Sequence, residues 1–211
     1  MVTERVLVME AVPGVPFSAA AERFGPALDG DRLLELAIKG VLEGTLAYGL
    51  FHGDMHAGNV LIDGGDRFSL VDFGICGRLT AAERRALVRF MLAFAANDAN
   101  RQLDSLEAFG AVPAGADRAA LAVELQRELD KLALGVTFDQ LGQNLGDVLR
   151  VLSAHGFTLP KELVLFFKNL LYLNGFAAAV APDADLMAQA APVLAYFTQK
   201  YGDEMLAMAL A

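Results

Sequence analysis

Asp54, Asn59 and Asp72 are the residues of this chain whose types and spacing can act together chemically. Asp54 lies in the run His52-Gly-Asp-Met-His-Ala-Gly-Asn59, and Asp72-Phe-Gly74 begins thirteen positions after Asn59. Moving a phosphoryl group from a nucleotide needs a carboxylate to orient the attacking hydroxyl, and oxygen ligands for a hard cation such as Mg²⁺. Two carboxylates and an amide oxygen are the right groups. They are useful only if they converge on one point.

The intervening sequence supplies that convergence. Asn59-Val-Leu-Ile62 and Phe68-Ser-Leu-Val71 read as short strands, and Asp63-Gly-Gly-Asp66 between them favours a tight reversal, with Asp63 and Asp66 as turn residues. A hairpin so formed returns the chain to where it left, so that Asp72 emerges beside Asn59. Upstream, a helical pattern begins at Asp31, with apolar residues at Leu33, Leu34, Leu36, Ala37, Ile38, Val41, Leu42 and Leu46, and leads straight into the loop. Gly40 and Gly44 lie one turn apart on it, which predicts a close backbone contact on that face. Before it, Val6-Leu-Val-Met9 reads as a strand that enters a turn at Pro13-Gly14 and Pro16.

Beyond Gly77 the pattern is almost wholly helical. Thr80-Ala-Ala-Glu83 is a capping box that starts a helix running to about Asn97. Further helices are predicted over 117–134, 138–155, 161–179 and 185 to about 209, with Pro160, Pro182 and Pro192 marking boundaries or a kink. The fold expected is mainly α (α+β): a helical bundle in which a small β-hairpin carries the two loops.

Composition narrows the function classes. The 211 residues suffice for a substantial core, and the chain is 55% hydrophobic with a mean hydropathy of +0.41. The best candidate for a membrane span, Leu163 to Ala181, contains Lys168, Asn169 and Asn174 and reads as a buried helix. The excess apolar surface is expected to meet another domain, a partner or a membrane face. A net charge of −9 and a pI near 4.8 exclude the basic footprint of a nucleic-acid binder. The single cysteine, Cys76, excludes an intrachain disulfide framework, reads as a small buried apolar residue and suits a reducing cytosol. Met1-Val-Thr-Glu-Arg5 lacks the basic start and apolar middle of a signal peptide.

Asp54 and Asn59 stand five apart, as in the protein-kinase signature H-R-D-x-x-x-x-N, and Asp-Phe-Gly follows in order. More closely, the chain resembles the UbiB/AarF/ADCK group of atypical, protein-kinase-like proteins. The resemblance rests on Leu7-Val-Met-Glu10 with Gly14, His52-x-Asp54-x-His56-x-Gly58-Asn59, Val71-Asp-Phe-Gly74 with Gly77-Arg78-Leu79, Leu159-Pro160 and Ala181-Pro182-Asp183. Ala57 stands where the group often has proline.

The resemblance implies a protein-kinase-like C-lobe that uses ATP (or ADP) with Mg²⁺, in ubiquinone or other isoprenoid-lipid metabolism. It makes Asp54 the catalytic-loop carboxylate, with Asn59 beside it, and Asn59 and Asp72 the metal ligands. Met9, Glu10 and Val12 would be the hinge that meets adenine, Leu61 would lie beneath the ring, and Gly74 would permit a sharp turn behind the metal. An isoprenoid lipid or membrane surface is the implied partner, and the implied location is cytoplasmic, peripheral to the inner membrane.

Two departures from ordinary protein kinases matter. Five residues separate Gly74 from Thr80 and no Ala-Pro-Glu follows, so an activation loop that docks a peptide has no room. Lys39, the first lysine, lies downstream of the hinge and cannot serve as the N-lobe strand lysine, and the group's Lys-x-Gly-Gln is absent. The expected organisation is therefore a hinge strand and linker over 1–16 and a C-lobe over 17–211, with the N-lobe missing and that lobe or another protein covering the site.

Alternatives keep the same residues. One is a small-molecule phosphotransferase like aminoglycoside or choline kinases, and another a non-catalytic nucleotide-responsive module. A third is a metal hydrolase built on His52, Asp54 and His56, although His52 reads more naturally as a loop-holding residue. His155, before Gly156, reads as a helix-end residue rather than a ligand.

Overall fold

The computed structural model describes residues 3–6, 8–111, 113, 115, 117–132, 138–184 and 186–210. Its elements in chain order are β1 (Val15–Pro16), α1 (Ala20–Phe24), α2 (Gly30–Leu42), β2 (Leu50–His52), β3 (Val60–Ile62), β4 (Phe68–Leu70) and β5 (Cys76–Arg78). Then follow α3 (Ala81–Ala95), α4 (Ala99–Ala108), α5 (Arg118–Leu132), α6 (Phe138–Ala154), α7 (Lys161–Val180) and α8 (Leu186–Leu210). The expected mainly helical α+β architecture is what forms, with two small antiparallel sheets ordered β1-β3-β4 and β2-β5.

α2 starts because the Asp29 carboxylate accepts the Arg32 amide at 3.0 Å, satisfying a first-turn N–H that has no helical partner. It buries Leu33, Leu34, Ala37 and Val41, one stripe at helical spacing. The helix then widens into a π-helical turn, Glu43–Tyr48, before β2. Of Gly40 and Gly44, only one has the predicted role. A Cβ on Gly44 would stand 2.9 Å from the Leu50 carbonyl oxygen, whereas one on Gly40 would meet nothing within 4 Å. The close approach is where the chain doubles back into the loop His52–Asn59.

The predicted hairpin forms in the register Val60↔Leu70, Leu61↔Ser69 and Ile62↔Phe68. The strand expected over Val6–Met9 does not: Leu7 lies outside the described residues, and Val6, Val8 and Met9 are exposed outside any sheet. The pairing Val15↔Ile62 and Pro16↔Leu61 explains this. In that antiparallel register the ladder with β3 ends at Val15, because β3 itself ends at Ile62. Gly14, at φ +124°, packs so tightly on Ile62 that a Cβ would stand 2.7 Å from its carbonyl oxygen.

The Thr80–Glu83 capping box is present, with each side chain bonded to the other's backbone amide. The later helices fall within a few residues of their predicted spans, the end expected at 133–134 and the start expected at 185 lying outside the described residues, and Pro192 sits inside α8 rather than at its end. α4 is an addition that hydrophobic periodicity did not show. Its large apolar residues are only Leu103 and Leu106, and its other buried positions are Ala99, Gln102 and Ser105. Its signal was the cap, Asp98, which accepts the Arg101 amide at 3.0 Å.

Two apolar cores meet along α7. Leu163, Leu165, Phe166 and Phe167 belong to one, with α3 to α6. Leu173, Phe176, Ala177 and Val180 belong to the other, with α2, the hairpin and Met55 of the loop. α7 is long and apolar enough to cross a membrane by length and composition, yet half of that stretch is buried here. Between its two apolar runs lie Lys168, Asn169 and Tyr172, at the level of the loop His52–Asn59.

Candidate functional site

The loop from His52 to Asn59 is built by its own polar groups. His52 ends β2 and is buried. Its Nδ1 accepts the Asp54 amide at 3.1 Å, which leaves Nε2 as the protonated nitrogen that donates to the Val71 carbonyl at 3.0 Å. One ring thereby joins the loop to the residue before Asp72. Asn169 of α7, fully buried, donates its Nδ2 to the His52 carbonyl. His56 Nδ1 accepts the Gly58 amide at 3.0 Å and caps the 3-10 turn Ala57–Asn59.

Asn59 is buried and donates Nδ2 to the Asp54 carbonyl at 3.0 Å. With the amide nitrogen so committed, Oδ1 is the atom left to meet a cation. The Val71 amide donates to the Asn59 carbonyl at 3.0 Å, so the hairpin does deliver the chain beside Asn59. Asp72 follows at once, exposed, with φ +59°. Sequence reasoning gave the sharp turn here to Gly74; the left-handed residue is Asp72 itself, a residue type that tolerates that region. Its Oδ1 accepts the Gly74 amide at 3.3 Å, and Oδ2 remains.

Asp54 is held from across the molecule. Its Oδ1 accepts from Lys168 Nζ at 2.8 Å and from the Tyr172 hydroxyl at 3.1 Å. The hydrogen bond from Lys168 is the largest influence on its carboxyl and, with Tyr172, holds the pKa below the usual aspartate value against the opposing effect of burial. Lys168 is pushed up in turn, chiefly by Asp54. Oδ2 has His56 Nε2 at 3.9 Å. Asp54 is thus an ionised carboxylate with one oxygen engaged and the other turned to a loosely placed imidazole.

This donor set fits a hard cation. Mg²⁺ is commonly held by one or two protein oxygens together with substrate phosphates, and Asn59 and Asp72 offer that number. It does not fit the hydrolase alternative, because both ring nitrogens of His52 are already bonded. Among the described residues no group of three or more His, Cys, Asp or Glu side chains could hold a metal.

The residues expected to meet a nucleotide base are less gathered. Leu61 and Val12 are half-buried, and the β1–β3 pairing draws the segment after Val12 alongside Leu61. Met9, 60% exposed, and Glu10 stand away from the sheets. Two surface cavities with described linings lie elsewhere: about 460 Å³ among α3, α4 and Ala209, and about 310 Å³ between α5 and α6.

The ABC1 atypical kinase-like domain matches residues 1–106, the half of the chain that contains the expected hinge segment, both loops and the hairpin. The chain belongs to the ABC1 atypical kinase-like family. An uncharacterized protein of Mycobacterium tuberculosis is 35% identical over 189 residues, covering 88% of this chain and 38% of the relative. A probable protein kinase UbiB of Pseudomonas putida is 29% identical over 198 residues, covering 90% and 36%. A chloroplastic aarF domain-containing protein kinase of Arabidopsis thaliana is 27% identical over 209 residues, covering 88% and 39%. The chain thus spans less than two-fifths of the length of these relatives, and it is kinase-like and of the UbiB/AarF type.

Within this ABC1-type site, sequence reasoning missed Lys168, Asn169 and Tyr172. They lie more than a hundred positions from the loop they hold. Their one available signal was compositional: polar groups at positions 168, 169 and 172 interrupt an otherwise apolar helix.

Proposed function

We propose that the chain is the C-lobe of a UbiB/AarF-type kinase or ATPase that uses Mg-ATP, and that it serves ubiquinone or isoprenoid-lipid metabolism at the cytoplasmic face of the inner membrane. The observation that carries the nucleotide reading is the double bridge by His52, which places the Asp54 amide and the Val71–Asp72 junction at one imidazole. Asn59 and Asp72 hold the cation, which neutralises phosphate charge when bound. Asp54 Oδ2 orients the attacking hydroxyl or water and takes its proton. Leu61 and Val12 meet the base, with the Met9–Glu10 segment as the hinge.

The acceptor in this reading is a small molecule, a lipid head group or water. Cys76–Arg78, after Gly74, is spent as β5 against β2, in the register Leu50↔Arg78 and His52↔Cys76. A protein substrate would need a docking segment in that place. Among the described residues there is also no glycine-rich hairpin to cover the phosphates, so slow turnover by this chain alone is expected, most kinase catalysis being positioning and electrostatic stabilisation.

Magnesium-dependent ATP turnover tests the proposal. Asp54→Ala is expected to keep nucleotide affinity and lose turnover. Undiminished turnover by Asp54→Ala would remove its assigned role, and zinc retained at one equivalent through His52 and His56 would restore the hydrolase alternative.

A further inference from the structure

Lys168 and Tyr172 are four apart on α7, hence on one face, and both reach the same oxygen of Asp54. The side chains of Lys168 and Asp54 are 39% and 22% exposed, and an ion pair this open to water contributes little to folding stability. An ammonium has three donors, and Asp54 occupies one of them. The loop His52–Asn59 itself contains no lysine or arginine. Phosphoryl transfer nevertheless develops charge on the equatorial oxygens of the moving group, close to the carboxylate that orients the acceptor.

We propose that Lys168 is a catalytic residue that donates from α7 to an oxygen of the transferred phosphoryl group, and that Tyr172 is a positioning residue that keeps Asp54 Oδ1 in place while Lys168 does so. This rests on the nucleotide reading above. In the step, a lone pair of the acceptor oxygen forms the bond to the γ-phosphorus. The bond from that phosphorus to the β–γ bridging oxygen breaks, and its electron pair leaves on the nucleoside diphosphate. The acceptor's proton passes to Asp54 Oδ2, the oxygen Lys168 does not use. The ammonium spans Asp54 and the phosphoryl oxygen, keeping two anionic groups close at the moment of transfer.

The test compares calorimetric binding of Mg-ADP with that of the magnesium complex of a β,γ-imido ATP analogue. The wild-type chain is expected to favour the triphosphate. Lys168→Met should lower that preference by about tenfold or more, leaving ADP affinity and the melting temperature nearly unchanged. Lys168→Arg should keep most of it, and Tyr172→Phe should change it little. Lys168→Gln, which retains a donor to Asp54 without the charge, replaces Lys168→Met if the latter fails to fold. An unchanged preference, or an equal loss for both nucleotides, would overturn the role of Lys168 and leave the nucleotide site standing. Binding of neither nucleotide by the wild-type chain would overturn the nucleotide reading, and this inference with it.

Discussion

Two carboxylates in this molecule are held by the same chemistry. Asp54 accepts from Lys168 and Tyr172 of α7, and Glu43 accepts from Lys200 and Tyr196 of α8, again a lysine and a tyrosine four apart. The surroundings differ. Glu43 sits in a π-helical turn, takes a third bond from Tyr201, and is ringed by aromatics, with Lys39 3.4 Å from the Tyr196 ring centre. Asp54 sits in an irregular loop beside Asn59 and the Val71–Asp72 junction, with other oxygen donors at hand. A lysine–tyrosine clamp on a carboxylate is therefore no signature of catalysis. What separates the two is whether further ligand groups share the place.

That contrast makes predictions of unequal size. The largest is that Asp54→Ala lowers turnover by about 10²- to 10⁴-fold, whereas Glu43→Ala leaves turnover per folded molecule within a few-fold. Measuring rates against the folded fraction checks both, and comparable losses would erase the distinction. Next, Glu43→Ala should destabilise the fold by about 1–2 kcal/mol in urea melts, since it removes charge-assisted bonds that solvent partly screens.

Acid should act on the same cluster. Desolvation works to raise the Glu43 carboxyl, but the hydrogen bonds from Lys200, Tyr196 and Tyr201 outweigh it and hold the value at about 2, down from 4.5. A carboxylate depressed in the folded state stabilises above its unfolded value and loses that contribution as the pH falls through the folded one. Stability should therefore decline from about pH 4.5 to 2, and Glu43→Gln should flatten that slope. The smallest effect belongs to the tyrosines. Tyr172→Phe and Tyr201→Phe each remove one hydroxyl donor, and thermal melts should show similar, small shifts.

Local features were the legible ones. The hairpin, the Thr80–Glu83 box and the α7 span are each written within a few consecutive residues, where turn chemistry and periodicity act. So was the junction between loop and hairpin, because the Asp54–Asn59 spacing and the Asp63–Asp66 reversal are short-range. The strand expected at Val6–Met9 had the right side chains, but register decides a strand as well as composition, and the ladder with β3 ends at the pair of Val15 with Ile62. The α7 clamp on Asp54 and the α8 clamp on Glu43 join residues 114 to 158 positions apart, which no local spacing encodes.

The central claim is that Asn59 and Asp72 hold a cation together with a nucleotide. Paramagnetic broadening by Mn²⁺, substituted for Mg²⁺ in the presence of ADP and read residue by residue in an amide NMR spectrum, tests it most directly. Broadening centred on Asn59 and Asp72, dependent on nucleotide and abolished in Asp72→Ala, is the predicted result. Broadening that ignores the nucleotide, survives Asp72→Ala or centres on another acidic surface would contradict it.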